Sequence, residues 1–213
     1  LSDLLKSKRD EKGNVDLDVK ESAIKVNDGK IEVSLMKKNK AHKIIEEFMI
    51  LTNECVSEYV FYLNLPFCYR VHEKPDGEKL ETFKNFLNAL GINVKWQADN
   101  CYPKNFSDLL DKLKGERVYG VVNKVMLRSL KKAKYSPQNL GHFGLSSKCY
   151  CHFTSPIRRF PDLTVHAIIK GILDGKDVEK LYGDKVAEIC NISSEKERRA
   201  DEVERTMDDY YKC

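Results

Sequence analysis

The sequence lacks most of what would mark a membrane, secreted or metal-stapled protein. Its longest apolar run, Val56–Leu65, is interrupted by Glu58, far short of the roughly 20 apolar residues a membrane-spanning helix needs. Charged residues make up 33% of the chain and occur in every segment, which excludes an integral membrane protein. No basic-then-apolar leader opens it, so no secretory signal is expected. There is no internal repeat and no low-complexity linker. Seven cysteines, an odd number, include no CxxC pair. The nearest approach to a zinc motif is Cys149-Tyr150-Cys151-His152, where neighbouring side chains on an extended segment point to opposite faces. No protein-bound metal is therefore assigned, and reduced thiols in a cytoplasmic protein are expected. The chain opens at Leu1 without a methionine and is expected to be a piece of something longer.

What is present suits a single folded unit. The 213 residues are 41% hydrophobic, enough for a sizeable core. The formal net charge of +4 is distributed unevenly. Residues 1–122 are balanced, 167–213 are acidic, and 123–166 hold eight basic side chains against Asp162 alone. That basic segment also carries Tyr135, His142, Phe143, Tyr150, His152, Phe153 and Phe160. Basic groups interleaved with aromatics suit a phosphate backbone and stackable bases. A solvated helix face explains the lysines equally well, but not the aromatics.

Hydrophobic periodicity predicts an α+β fold, with short strands in the opening 40 residues and helices thereafter. Val15–Asp18 alternates, and Ala23–Val26 meets Asn27-Asp28-Gly29 before the alternating Ile31–Leu35, the pattern of a hairpin. Ile44, Phe48, Leu51, Cys55, Tyr59 and Tyr62 share one face of a long helix. Cys68–His72 reads as a strand, Lys74-Pro75-Asp76-Gly77 as a turn, and Leu80–Leu90 as a helix stopped by Gly91. Helices are expected at 106–113, 118–133 and 159–173, the last tolerating Pro161 in its first turn. Ser194-Glu195-Lys196-Glu197 has the pattern of a capping box opening the final helix.

The segment with the most chemistry is Tyr150-Cys151-His152-Phe153-Thr154-Ser155-Pro156-Ile157-Arg158-Arg159-Phe160-Pro161-Asp162-Leu163. An extended stretch stops at Ser-Pro, and two arginines stand at the mouth of a helix. Helix starts offer free N–H groups to anions, and guanidinium forks clamp phosphate oxygens. A surface arginine pair with Thr154 or Ser155 as a cap is the competing explanation from the residues alone.

This segment resembles the HFTSPIRR signature of the RNB-domain family of 3′→5′ exoribonucleases. Five further blocks resemble that family in its own order: Asn39–Asn53, Tyr69–Pro75, Leu127–Ser136, Gly141–Leu145 and Glu197–Glu202. The resemblance implies hydrolysis of single-stranded RNA from its 3′ end to nucleoside 5′-monophosphates with Mg²⁺. It implies two catalytic positions: Arg158 on the scissile phosphate, and Glu204 where ribonuclease II has an active-site glutamate. It places Glu46 at the terminal ribose, where a 2′-OH contact distinguishes RNA from DNA. Arg128, Lys131, Lys132, His142, Tyr150, His152, Thr154, Ser155 and Arg159 complete the expected RNA-binding set. The complete enzyme is expected to be a monomer with no membrane partner.

One feature of the family has no counterpart here. Its Mg²⁺ ligands form an aspartate cluster upstream of all the matched blocks, and neither Asp16 and Asp18 nor Asp208 and Asp209 resemble it. A downstream S1-type RNA-binding domain is also missing. Residues 1–213 are thus expected to be a partial RNB domain, active only with its missing N-terminal half. The alternative is an RNA-binding relic of the same domain that has lost catalysis. A general DNA-binding helical domain has no helix-turn-helix or finger signature to support it.

Overall fold

The computed structural model describes residues 1–15, 22–27, 30–35, 39–97 and 101–212. In order, the elements are α1 (Ser2–Glu11), β1 (Ser22–Asn27), β2 (Lys30–Leu35), α2 (Lys40–Tyr62), β3 (Tyr69–Val71), α3 (Gly77–Ala89), α4 (Pro103–Leu113), α5 (Tyr119–Ser129), β4 (Lys134–Ser136), α6 (Phe160–Leu173), α7 (Val178–Tyr182) and α8 (Val186–Lys212). A single 3-10 turn, Phe143–Leu145, lies between β4 and α6. The fold is α+β and rich in helix. β1 and β2 pair antiparallel with Asn27 opposite Lys30, which is the expected hairpin. Its tip, and Asp16 and Asp18 before it, lie outside the described residues.

Two apolar cores hold the rest together. One is built by α3, α4 and α5, where Phe83 and Phe106 stack with ring centres 6.2 Å apart and Trp96 meets Phe106 edge-on at 4.8 Å. The other gathers Val60, Phe67, Val71, Val165, Ile168, Val186 and Cys190 from α2, β3, α6 and α8. Each large side chain fully buried in this way contributes about 1.5–3 kcal/mol. The second core carries the loop that follows β4 and leads into α6. Strand β3 pairs antiparallel with β4, Tyr69 opposite Ser136. It also receives the incoming Tyr150–Cys151 segment, with the Arg70 amide donating to the Tyr150 carbonyl at 2.9 Å.

Three local expectations are corrected. The opening residues begin not with a strand but with α1, which packs on α2 and is fastened there by Arg9 to Glu47. Its stop is Gly13, at φ +88°, where a Cβ would lie 2.7 Å from the Lys104 Cα; only glycine fits both the backbone and the space. The helix expected to reach Ala133 ends at Ser129, because residues 134–136 are taken by β3 as a pairing strand. The final helix begins at Val186, not Ser194. Burial of Val186, Cys190 and Ser193 extends it upstream. Ser194 sits inside it, donating to the Cys190 carbonyl at 2.8 Å and accepting from the Tyr135 amide at 2.9 Å. Tertiary packing has overridden a local cap signal.

Helix α2 forms as expected, opened by a reciprocal cap. The Asn39 Oδ1 accepts from the His42 amide, and the His42 Nδ1 accepts from the Asn39 amide. Its buried residues are Glu47, Asn53, Ser57 and Val60. The apolar stripe read from the sequence is turned the other way: Phe48, Leu51, Tyr59 and Tyr62 are 40%, 38%, 48% and 76% exposed.

Candidate active site

The segment from Tyr150 to Leu163 is held by two buried polar side chains, Asn53 and Asp162. Asn53 lies on the inner face of α2. Its Nδ2 donates to the Tyr150 hydroxyl at 3.0 Å, its Oδ1 accepts from the Phe153 amide at 3.0 Å, and its carbonyl accepts from the Cys151 thiol at 3.3 Å. One asparagine thereby fixes the strand on both sides of His152. Asp162, in the first turn of α6, is fully buried. Its Oδ1 accepts from the Ser155 amide and from Arg159 Nη2, each at 2.8 Å. The amides of Arg158 and Arg159 both donate to the Ser155 carbonyl, closing a tight turn. Pro161 in the first turn gives up an N–H that would have had no helical partner.

This geometry separates two adjacent arginines. Arg159 folds back into the ion pair with Asp162 and is only 19% exposed. Arg158, at the crest beside the fully exposed Ile157, projects outward with no side-chain partner among the described residues. Beneath it the protein leaves the buried Thr154 Oγ1, Arg159 Nε and Asp162 Oδ2 without hydrogen-bond partners of its own. Buried polar groups of this kind are ordinarily satisfied. Here they cluster next to the exposed guanidinium and the start of α6, an arrangement suited to an anion with several oxygens.

Behind the loop runs a chain of rings. His72, His142, Tyr150, His152 and Tyr135 follow one another at centroid distances of 5.2, 5.3, 6.0 and 5.6 Å. The Tyr135 hydroxyl pairs with His152 Nδ1 at 2.9 Å. The Gly144 amide donates to His72 Nδ1, and the Leu145 amide to His142 Nδ1. Burial, assisted by nearby arginines, pushes His152 down to about 2. Burial, with His72 and Arg70 beside it, pushes His142 down to about 3. Both imidazoles are neutral at physiological pH. Arg70 lies over the Tyr135 ring at 4.7 Å and pairs with Glu197, tying the strand pair to α8.

The remaining expected site residues are dispersed. Tyr150 is buried and spends its hydroxyl on Asn53. Glu46 is half-buried in the second turn of α2, Arg128 and Lys132 are exposed around the end of α5, and Glu204 is exposed on α8. Lys131 pairs with Asp76 at 2.8 Å and Glu73 at 3.3 Å, and Lys134 also pairs with Glu73. These lysines hold the Glu73 carboxyl below its ordinary range. Of the basic side chains in 123–166, Lys131, Lys134 and Arg159 are therefore neutralised within the fold. Asn53, Asp162, Arg70 and Tyr135 were not among the expected site residues. The signal for Asn53 was present: Glu46, Glu47, Asn53 and Ser57 recur on one side of an otherwise apolar helix.

The model of the RNB domain family matches residues 1–175. The chain belongs to the RNB family. This RNB chain is 40% identical to Thermotoga maritima ribonuclease R over 214 residues, covering 96% of itself and 30% of that protein. It is 35% identical to Escherichia coli ribonuclease R over 222 residues, covering 99% of itself and 27% of that protein. Among solved structures, Mycoplasma genitalium RNase R in complex with double-stranded RNA superposes with a TM-score of 0.93 at 30% identity, covering 99% of this chain and 39% of that one. The RNB chain thus spans about a third or less of the curated relatives it matches. Among the described residues no group of three or more His, Cys, Asp or Glu side chains is placed to hold a metal ion. The described donor set does not fit the Mg²⁺ expected from the family. No described helix is long and apolar enough to cross a membrane.

Proposed function

We propose that this chain is the phosphate-clamping and channel-wall part of a cytoplasmic 3′→5′ exoribonuclease acting on single-stranded RNA. The observation that carries the proposal is the contrast between Arg159, locked to Asp162, and Arg158, presented bare on the same turn. In hydrolysis of the terminal phosphodiester, water forms a new bond to phosphorus as the P–O3′ bond breaks. The upstream 3′ oxygen leaves and takes a proton, and the released nucleotide keeps its 5′-phosphate. Negative charge grows on the non-bridging oxygens, and a guanidinium already in place stabilises it without reorganising. Arg158 has that role. Arg159 and Asp162 hold the turn, while the unpartnered Thr154 hydroxyl and the start of α6 offer further donors. Glu46 and Glu204 are proposed as the ribose contact and a second catalytic group. Mg²⁺ and activation of the water belong to the part of the protein outside this chain.

In the complete enzyme, Arg158→Ala is expected to cut turnover by about 10²-fold or more and leave thermal stability unchanged. Arg159→Ala, which leaves Asp162 buried and unpaired, is expected to lower stability first. Near-normal turnover of Arg158→Ala on 5′-labelled RNA removes it from the active site. If the complete protein binds RNA but never shortens it in Mg²⁺, the inactive RNA-binding reading replaces the enzyme.

A further inference from the structure

The outward face of α2 has no counterpart to pack against in this chain. Ile44, Phe48, Leu51, Cys55, Tyr59 and Tyr62 keep helical spacing along it, and all but the half-buried Ile44 are exposed. A helix of 23 residues makes this stripe about 34 Å long. Single exposed apolar side chains are ordinary on any surface. A contiguous stripe that holds a 3.6-residue period is a binding surface. The inner face of the same helix is occupied by polar groups that are already satisfied, Asn53 above all. The apolar residues of α2 have been placed on the side this chain leaves open. Exposed Val203, Met207 and Tyr210 on α8 make a shorter stripe.

The charge around the face narrows what can cover it. No lysine or arginine occurs between Lys43 and Arg70, while Glu46, Glu47, Glu54 and Glu58 lie on the helix. An apolar surface bordered by carboxylates repels a phosphate backbone or an anionic bilayer and accepts a protein surface that is apolar with basic residues at its rim. We propose that this face is the seam on which the remainder of a ribonuclease R-type protein docks. The proposal rests on the RNB exoribonuclease reading. The length outside the match supports it: this chain reproduces 39% of the Mycoplasma RNase R chain with a TM-score of 0.93. Its own fold is thus already native-like, while the larger share of such a protein must abut it somewhere.

The test is to co-express this chain with the portion of Thermotoga maritima ribonuclease R that has no counterpart in it, tagged on the Thermotoga part. A 1:1 complex by size-exclusion chromatography with light scattering is expected. Phe48→Glu combined with Tyr59→Glu should lower its recovery at least tenfold, with far-UV helicity of the free chain retained. Tyr62→Glu, at a 76% exposed position where substitution cannot unfold the chain, should lower it several-fold. Leu173→Glu, equally exposed at the end of α6, should leave it intact. Failure to form a complex, a complex indifferent to the α2 variants, or a homodimer through α2 that persists beside the Thermotoga part would each overturn the proposal. Activity is scored separately on labelled RNA. A face-dependent complex that does not degrade RNA keeps the seam and removes the exoribonuclease reading. An active complex indifferent to the variants does the reverse.

Discussion

The inner and outer faces of α2 differ both in the side chains they carry and in what those side chains do. The inner face meets the interior with Glu47, Asn53, Ser57 and Val60, three of them polar. The outer face shows solvent Phe48, Leu51, Tyr59 and Tyr62. An ordinary surface helix does the opposite. The inner face is polar because it holds a non-helical strand whose backbone and hydroxyl groups need partners. Apolar packing alone leaves those groups unsatisfied, whereas one asparagine supplies both a donor and an acceptor. Burying Glu47 is tolerated because Arg9 of α1 pairs with it. The inner face therefore fixes geometry, and the outer face waits for surface.

The largest disturbance of the inner side should come from acid. His142 and His152 sit in the ring chain behind the Asn53-anchored strand, with folded values of about 3 and about 2 against an ordinary 6.5 when unfolded. Below pH 6.5 the unfolded chain takes up protons that the folded chain refuses. Stability must then fall as pH falls, until the folded imidazoles titrate in their turn. Two such groups give a slope approaching about 2.7 kcal/mol per pH unit between roughly pH 5.5 and 3. Urea unfolding across pH 7 to 4.5 measures it. His142→Gln with His152→Gln should flatten the slope above pH 5, where carboxylates contribute little. An unchanged slope would mean that the imidazoles are charged in the folded protein.

A smaller, more local break is Asn53→Ala. It leaves the Phe153 amide and the Tyr150 hydroxyl without their partner in a buried place, at about 1–3 kcal/mol each. Alanine's better helix propensity returns about 0.5 kcal/mol. A net loss of about 2 kcal/mol should lower Tm by about 4–8 °C in a chain of this size. In the complete enzyme the same variant should reduce turnover by loosening the turn that presents Arg158. A variant with wild-type Tm would show that the strand is held by β3 alone.

These contrasts also mark what the sequence could reveal. Element types that depend on local signals were legible. The α2 periodicity, the turn before α3, the Gly91 stop and Pro161 at the start of α6 all appear where expected. Elements settled by distant partners were not. Residues 134–136 become a strand because β3 needs a neighbour, and α8 starts early because Val186 and Cys190 enter a core. The α2 stripe was found, but which way it faces is not a local property: 3.6-residue periodicity shows that a helix has two faces, not which one this chain covers. In the site, Arg158 and Arg159 read as equivalent neighbours. Only the fold shows that Asp162 takes one and leaves the other.

The smallest expected effect lies on the outer face, and it completes the contrast. Tyr59→Ser and Tyr62→Ser remove large apolar side chains from positions 48% and 76% exposed. Little area returns to water on unfolding, and Tyr62 touches chiefly its neighbour Phe61, with ring centres 5.8 Å apart. Surface substitutions of this kind stay within about 0.5 kcal/mol, so urea midpoints of the chain alone should hardly move. An apolar stripe seated in a core behaves differently, since large-to-small changes there cost about 2–5 kcal/mol. A loss of that size from either serine variant would show that α2 is already covered in the isolated chain, by a second copy or by its own residues. A negligible loss that becomes large once the remainder of the protein is present would mark the outer face as an interior surface that this chain leaves open.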